Sequence, residues 1–572
     1  MTSRDSSSPE GLKLNDLPQS VEPLLHYFPG LGKAKGYLLD GKVTQFNNIP
    51  YGEIPFRWAS AVPVETPWIG EEIRDCQNYG PSCPQPLRRF YPIPLVERPY
   101  TNTPGDDEFK CLSLNITMPV SKPSEDLKLP VMVWIHGGGF VAGSGSAPMT
   151  DGRSLAAMSH AFNLPTIIIT ISYRLGVFGF MANSDIEVVN KADGREQQTA
   201  NWGLHDQRLA LKWIRNHISA FGGDPDKVTV FGESAGSCSI DWHLSGPALF
   251  DRAILMSGVA GLCGISTVQE YDAWWHKLTD YFGISRHVTP EQRICAMRQV
   301  PAKDMLIAHD LYDCFIPLNQ ICDNGDVRIY SFGQYESRKL PIWCSGIMVG
   351  DCKNEGILFN HRDRFRLSGE ELIKDLQEYL GLEKSKIVVD AYKITSDLCE
   401  NEGTALVEHM ITHSLFSLPN YALVKANPGV FYYHFDEPST FQFGVEDGKP
   451  ARNKWINTAH HALDDKYVFN ILRPLMNEKQ KRTGEAMAKA WLTFANGKEP
   501  WPSASFPSQP FVQVFGPEGE CRLKSLDEDE PVRKYSSMEK ILQAQLLQDF
   551  CNWGEERAEN RSDLLNDPWK ST

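Results

Sequence analysis

The pentapeptide Gly232-Glu233-Ser234-Ala235-Gly236 sets a serine between two glycines directly after the β-prone run Lys227-Val228-Thr229-Val230-Phe231. A strand, a sharp turn and a helix start together lift a side chain clear of a sheet, and the flanking glycines let the backbone turn where a Cβ would obstruct it. Ser234 is therefore a candidate nucleophile. The pattern alone is thin: with Gly and Ser each at about 7% usage, roughly 0.2 such matches arise by chance in a chain of this length. A serine hydroxyl is a poor nucleophile until a histidine accepts its proton, and that histidine works best with an acid fixing its tautomer. Acyl chemistry also needs N–H donors for the oxygen that gains charge. His136-Gly137-Gly138-Gly139-Phe140 supplies such donors, because it follows the apolar run Pro130-Val131-Met132-Val133-Trp134-Ile135 and its glycines can aim amides without side chains in the way.

These residues need a rigid frame. Candidate strands recur with helical segments between them, which predicts an α/β fold with a large, mostly parallel central sheet flanked by helices on both faces. Residues 130–135 and 166–171 are near-continuous apolar or β-branched runs, as strands buried on both faces are. Residues 204–220 place apolar side chains at helical spacing, and Phe221-Gly222-Gly223-Asp224-Pro225 ends that helix. Further strands are expected at 253–256, 346–349 and 430–433, and a helix over 478–496. Segments 263–340 and 362–428 read as helical or irregular insertions that shape a pocket. Residues 31–556 form one expected catalytic domain between a polar N-terminal extension, 1–30, and a polar tail, 557–572.

The chain has 572 residues, of which 41% are hydrophobic and 23% charged, the profile of a protein that buries a large core. A formal net charge of -15 argues against a nucleic-acid partner, since phosphate binding needs concentrated Lys and Arg. The first thirty residues lack the apolar core of a signal peptide, and no later stretch reaches eighteen consecutive apolar residues. A cytoplasmic protein without a transmembrane segment is the expectation. The 13 cysteines show no paired CxxC spacing and there is no His-Glu-x-x-His, so neither a metal nor another cofactor is expected. Asn115-Ile116-Thr117 and Asn560-Arg561-Ser562 match the glycosylation pattern but, without a secretory signal, read as chance.

Several motifs in one order make the chain resemble the type-B carboxylesterase family, which contains cholinesterases, carboxylesterases and certain fungal lipases. They are Asn48-Ile49-Pro50-Tyr51-Gly52, Gly80-Pro81-Ser82-Cys83-Pro84-Gln85 and Cys111-Leu112-Ser113-Leu114-Asn115-Ile116, then the glycine loop and Ser172-Tyr173-Arg174-Leu175-Gly176. Asn201-Trp202-Gly203-Leu204-His205-Asp206-Gln207-Arg208 and Ala220-Phe221-Gly222-Gly223-Asp224-Pro225 precede the elbow. The resemblance implies an α/β-hydrolase fold and a serine carboxylic-ester hydrolase working through an acyl-enzyme on a small-molecule ester.

The family's acid segment, Gly-x-Asn-x-x-Glu-Gly, resembles Gly350-Asp351-Cys352-Lys353-Asn354-Glu355-Gly356, with Cys352 in place of the usual Asn. This makes Glu355 the expected acid and Asp351 its rival. His461-Ala462-Leu463-Asp464 resembles the histidine loop, so His461 is the expected base; His460 lies one residue early, and Thr458 stands where the family often has Gly. Carried over in the same way, the oxyanion donors are the backbone amides of Gly138, Gly139 and Ala235. Glu233 is expected either to influence the electrostatics near the histidine or to be a buried structural carboxylate, and Ser257 to be a nearby hydrogen-bond partner. Cys83 and Cys111 match positions that form a disulfide in secreted members. The segment between them, with Phe90, Tyr91, Ile93, Leu95 and Tyr100, reads as a pocket rim, a lid or a packed proline-rich loop. Two other functions stay open: acyl transfer or lactone opening with the same machinery, and a binding protein that kept the fold and lost the chemistry.

Overall fold

A computed structural model describes residues 20–559 apart from 65–72, 87–104, 121–127, 195–198, 264–266, 312–330, 361–364, 442–444, 447–448, 451–454 and 509. Its centre is a 13-stranded sheet. The strands in chain order are β1 (Val21–Phe28), β2 (Gly32–Leu39), β3 (Val43–Pro50), β4 (Ile73–Asp75), β5 (Ser113–Pro119), β6 (Leu129–Ile135) and β7 (Ile167–Ile171). Then come β8 (Gly223–Glu233), β9 (Arg252–Met256), β10 (Gly346–Cys352), β11 (Phe431–Phe435), β12 (Phe511–Phe515) and β13 (Cys521–Ser525). Spatially they run β1-β2-β3-β5-β7-β6-β8-β9-β10-β11-β12-β13, with β4 beside β2. From β7 to β12 every neighbouring pair is parallel, and the antiparallel pairs lie toward the two ends. This is the expected mixed, mostly parallel α/β sheet with helices packed around it.

Side-chain alternation splits the interior into two cores. Val131, Val133 and Ile135 of β6 enter one, shared with Leu204 and Leu211 of helix Trp202–His217 and Ile240 of helix Ala235–His243. Met132 and Trp134 enter the other, shared with Leu155 of helix Arg153–Ala161 and Met487 and Trp491 of helix Glu478–Ala495. Strands covered on both faces carry near-continuous apolar or β-branched runs, which is why these were legible without alternation. The long helix Glu478–Ala495 begins at a capping box: Asn477 Oδ1 accepts from Lys479 N at 2.9 Å and Gln480 N at 3.0 Å, and Gln480 Oε1 accepts the Asn477 N–H at 3.1 Å. Arg174, in the turn after β7, donates from Nε and Nη2 to both carboxylate oxygens of Asp206 at 2.7 Å, fixing that turn to helix Trp202–His217.

The sheet starts earlier than its polar N-terminus suggests. β1 pairs antiparallel with β2 along its length, yet Leu25 and Tyr27 remain 53% and 62% exposed. An edge strand with little core contact carries no apolar run to announce it. Helices Val268–Tyr281, Pro290–Arg298 and Ala302–Leu311, then Gly369–Leu380, Leu382–Tyr392 and Glu400–Thr412, occupy the two expected insertions. Among the described residues, no helix is long and apolar enough to cross a membrane, and no group of three or more His, Cys, Asp or Glu side chains is placed to hold a metal ion.

Candidate active site

Strand β8 runs to Glu233, and helix Ala235–His243 begins two residues later, so the whole reversal falls on Ser234. Its backbone sits at φ 56° and ψ -125°, a conformation that costs of order 1–3 kcal/mol for a residue with a Cβ. The turn is held by Ser234 N donating to Met256 O at 3.0 Å and Cys238 N donating to Ser234 O at 2.9 Å. Both flanking glycines are forced by the end of β6: a Cβ on Gly236 would stand 2.0 Å from Ile135 O, and one on Gly232 2.6 Å from the same oxygen. Glu233 and Ala235 are buried, whereas Ser234 is partly exposed.

The glycine loop lies against this elbow. A Cβ on Gly137 would meet Glu233 O at 2.5 Å, and Gly138 and Gly139 take φ of 108° and 59°. Neither the Gly138 nor the Gly139 amide donates to an acceptor among the described residues, and Ala235, first in its helix, has no intrahelical acceptor for its N–H. Two contacts anchor the loop: Tyr173 Oη donates to His136 O at 2.7 Å, and the two rings stack at 4.3 Å. Burial outweighs the nearby Gly137 carbonyl and lowers His136 to about 4, so it is a neutral structural ring.

Glu355 opens the 3-10 turn that follows β10 and is fully buried. Its Oε1 accepts the Cys352 N–H at 2.7 Å, and its Oε2 lies 2.5 Å from His461 Nδ1. The two loops carrying this pair are pinned together, since Asn354 N donates to Ala459 O at 2.9 Å and Ala459 N donates to Asn354 Oδ1 at 3.1 Å. On the other edge of the ring, His461 Nε2 stands 2.8 Å from Glu233 Oε1, close enough for an ion pair but without hydrogen-bond alignment. Glu355 and His461 are thus brought together beside the elbow. No hydrogen bond between Ser234 and His461 is formed among the described residues; such contacts tighten in many enzymes only once substrate is bound.

The rivals are engaged elsewhere. Asp351 is buried and receives Arg533 Nη1 at 2.6 Å, Asn420 Nδ2 at 3.1 Å and Ser417 Oγ at 3.2 Å. His460 turns its Nδ1 to His461 O at 2.8 Å and packs on Trp455, and burial lowers it to about 4. Ser257 Oγ donates to Cys352 Sγ at 3.9 Å, beneath the acid turn rather than at the histidine.

A model of the carboxylesterase family matches residues 30–539. The chain belongs to the carboxylesterase family. It is 33% identical over 503 residues to para-nitrobenzyl esterase of Bacillus subtilis, covering 82% of this chain and 91% of that one. Lipase 3 of Yarrowia lipolytica is 29% identical over 519 residues, covering 88% and 93%. A solved PNB esterase structure superposes with a TM-score of 0.68 at 30% identity over 90% of this chain and 99% of its own. The chain is accordingly an ester-hydrolysing enzyme of the α/β-hydrolase fold.

Two features of this carboxylesterase site were not readable from the motifs, and a third bears on a pair of cysteines that the motifs did single out. Gln85 clamps the glycine loop, accepting from Gly143 N at 2.9 Å and donating to Gly143 O at 3.0 Å. Cys83 and Cys111 are buried free thiols: Cys83 Sγ accepts from Leu175 N at 3.2 Å and Cys111 Sγ donates to Glu108 O at 3.6 Å; residues 87–104 between them lie outside the described set. The histidine loop adds buried acids: Asp464 accepts from Tyr433 Oη at 2.9 Å, and Asp465 pairs with Lys466 at 2.5 Å. Burial lifts Asp465 to about 6 against the pull of Lys466.

His461 sits between opposing effects. Burial disfavours its charged form, but the carboxylates of Glu233 and Glu355 outweigh that and raise it well above the ordinary histidine value. A histidine base works as the neutral ring, so activity is expected to rise with pH as His461 loses its proton, at a higher pH than for an isolated histidine. Glu233→Gln removes one of the charges favouring the imidazolium and should move the acid limb of kcat/KM to lower pH by about 1 unit. A pH profile with its acid limb unmoved would rule out that electrostatic role.

Proposed function

We propose that the chain hydrolyses a carboxylic ester through Ser234, His461 and Glu355. Ser234 Oγ attacks the ester carbonyl while His461 Nε2 takes its proton, and Glu355 holds the proton on Nδ1 and stabilises the imidazolium. The Gly138, Gly139 and Ala235 amides receive the oxyanion; each such donor is worth roughly 3–4 kcal/mol in the transition state. His461 then protonates the leaving alcohol, and water, activated by the same ring, releases the acid from the acyl-enzyme. The observation that carries the reading is the 2.5 Å contact between Glu355 and His461 beside a strained serine elbow. Para-nitrobenzyl esterase and Lipase 3, as named, act on esters or lipids, which supports an organic and comparatively apolar substrate. Residues 31–556 serve as one catalytic unit in this reading.

Hydrolysis is separated from acyl transfer by its products. With a p-nitrophenyl ester of moderate chain length and a competing alcohol in excess, mass analysis should find the free acid as the main product. A dominant new ester would replace hydrolysis by transfer, and silence across a broad ester panel and toward a phosphonate probe would restore the binding-protein reading.

A further inference from the structure

Helix Glu400–Thr412 passes into helix Leu418–Ala426 through a π-helical turn, His413–Ser417, in which Leu418 N–H donates to His413 O five residues back. Pro419 accounts for the site of this turn: it has no N–H to offer Leu415 O, and in a regular helix its ring would press on that carbonyl. The extra residue rotates all that follows by about 100° relative to an uninterrupted helix, and π-turns of this kind recur at functional sites.

The turn and the helices on either side of it pack against the acid and histidine loops. Phe416, at the turn, is 1% exposed and lies 5.3 Å from the His461 ring at 58° and 6.3 Å from Phe359. Before the turn, Thr412 Oγ1 accepts the Gly356 N–H at 2.8 Å, and a Cβ on Gly356 would stand 2.0 Å from Glu408 O. After it, Asn420 Nδ2 donates to Gly350 O at 3.3 Å, and both Asn420 and Ser417 hold Asp351. One broken helix therefore grips the strand before Glu355, the turn after it, and the ring that Glu355 binds.

We propose that Phe416 is a positioning residue, held by the π-turn against the His461 imidazole so that its Nε2 edge stays aimed at the elbow. The inference rests on His461 being the base. The ionisable groups around that ring are Glu233 from the elbow, Glu355 from the acid turn, and His460, Asp464, Asp465 and Lys466 from its own loop. None comes from the π-turn, so changing Phe416 alters none of these charges.

Phe416→Leu keeps an apolar side chain and removes the ring. It should lower kcat about tenfold with KM within about twofold, because misorientation of a reacting group acts on the chemical step. The acid limb of the pH profile should also fall by about 0.5 unit, since the aromatic ring beside the imidazole no longer favours its charged form. Phe416→Tyr should restore both, and Phe416→Met replaces the Leu variant if that one does not fold. Wild-type kcat and an unmoved limb in the Leu or Met variant overturn the proposal, as does a lower Tm with both kinetic readouts unchanged. His461→Ala in the same assay separates the two readings: retained turnover there refutes the base itself, whereas its loss beside an active, unshifted Phe416 variant refutes only the positioning role.

Discussion

Ser234→Ala is expected to lower kcat on an activated ester about a million-fold and to abolish stoichiometric labelling by a phosphonate. The residual rate comes from what the substitution leaves in place, namely the glycine-loop amides and the binding surface. The fold should tolerate the change, because the hydroxyl makes no hydrogen bond among the described residues and the bonds holding the elbow run through backbone atoms of Ser234, Met256 and Cys238. Unfolding curves should therefore nearly coincide while turnover is lost. A Ser234→Ala enzyme that still forms a covalent adduct at full stoichiometry would move the nucleophile to another residue and remove the central step of the proposed reaction.

The elbow was legible because its chemistry is imposed by the backbone. Ile135 O approaches positions 232 and 236 so closely that only glycine fits, and a steric rule of that kind leaves a mark in sequence. The parallel strands were legible for a related reason, since burial on both faces makes their runs near-continuously apolar or β-branched. β10 was foreseen to end at Val349 and in fact continues through Asp351 to Cys352, because a buried aspartate paired with Arg533 looks like a turn residue until its partner is known. Glu355 and His461 came from the family resemblance rather than from any local pattern. That Glu233 meets the Nε2 edge in particular, and the Asn354 and Gln85 clamps, depend on segments far apart in the chain. Periodicity carries no information about such meetings.

Glu355→Gln is expected to lower kcat about ten-thousand-fold with little change in KM. The size follows from which atoms the carboxylate serves. Its Oε1 accepts the Cys352 N–H, and only an oxygen can do so. A glutamine must therefore turn its oxygen to Cys352 and its NH2 group to His461 Nδ1. An NH2 donor facing Nδ1 selects the tautomer with the proton on Nε2, the nitrogen that has to accept the serine proton, so most of the enzyme is held in the wrong form. The same substitution removes one of the charges that raise His461, and the remaining activity should show its acid limb at lower pH than the wild type. Glu355→Ala leaves Nδ1 without this imposed donor and should lose activity through disorder instead, retaining as much turnover as the glutamine variant or more. If Gln and Ala variants both keep near wild-type kcat, the contact at His461 Nδ1 has no catalytic part and the acid must be sought among Glu233, Asp464 and Asp465.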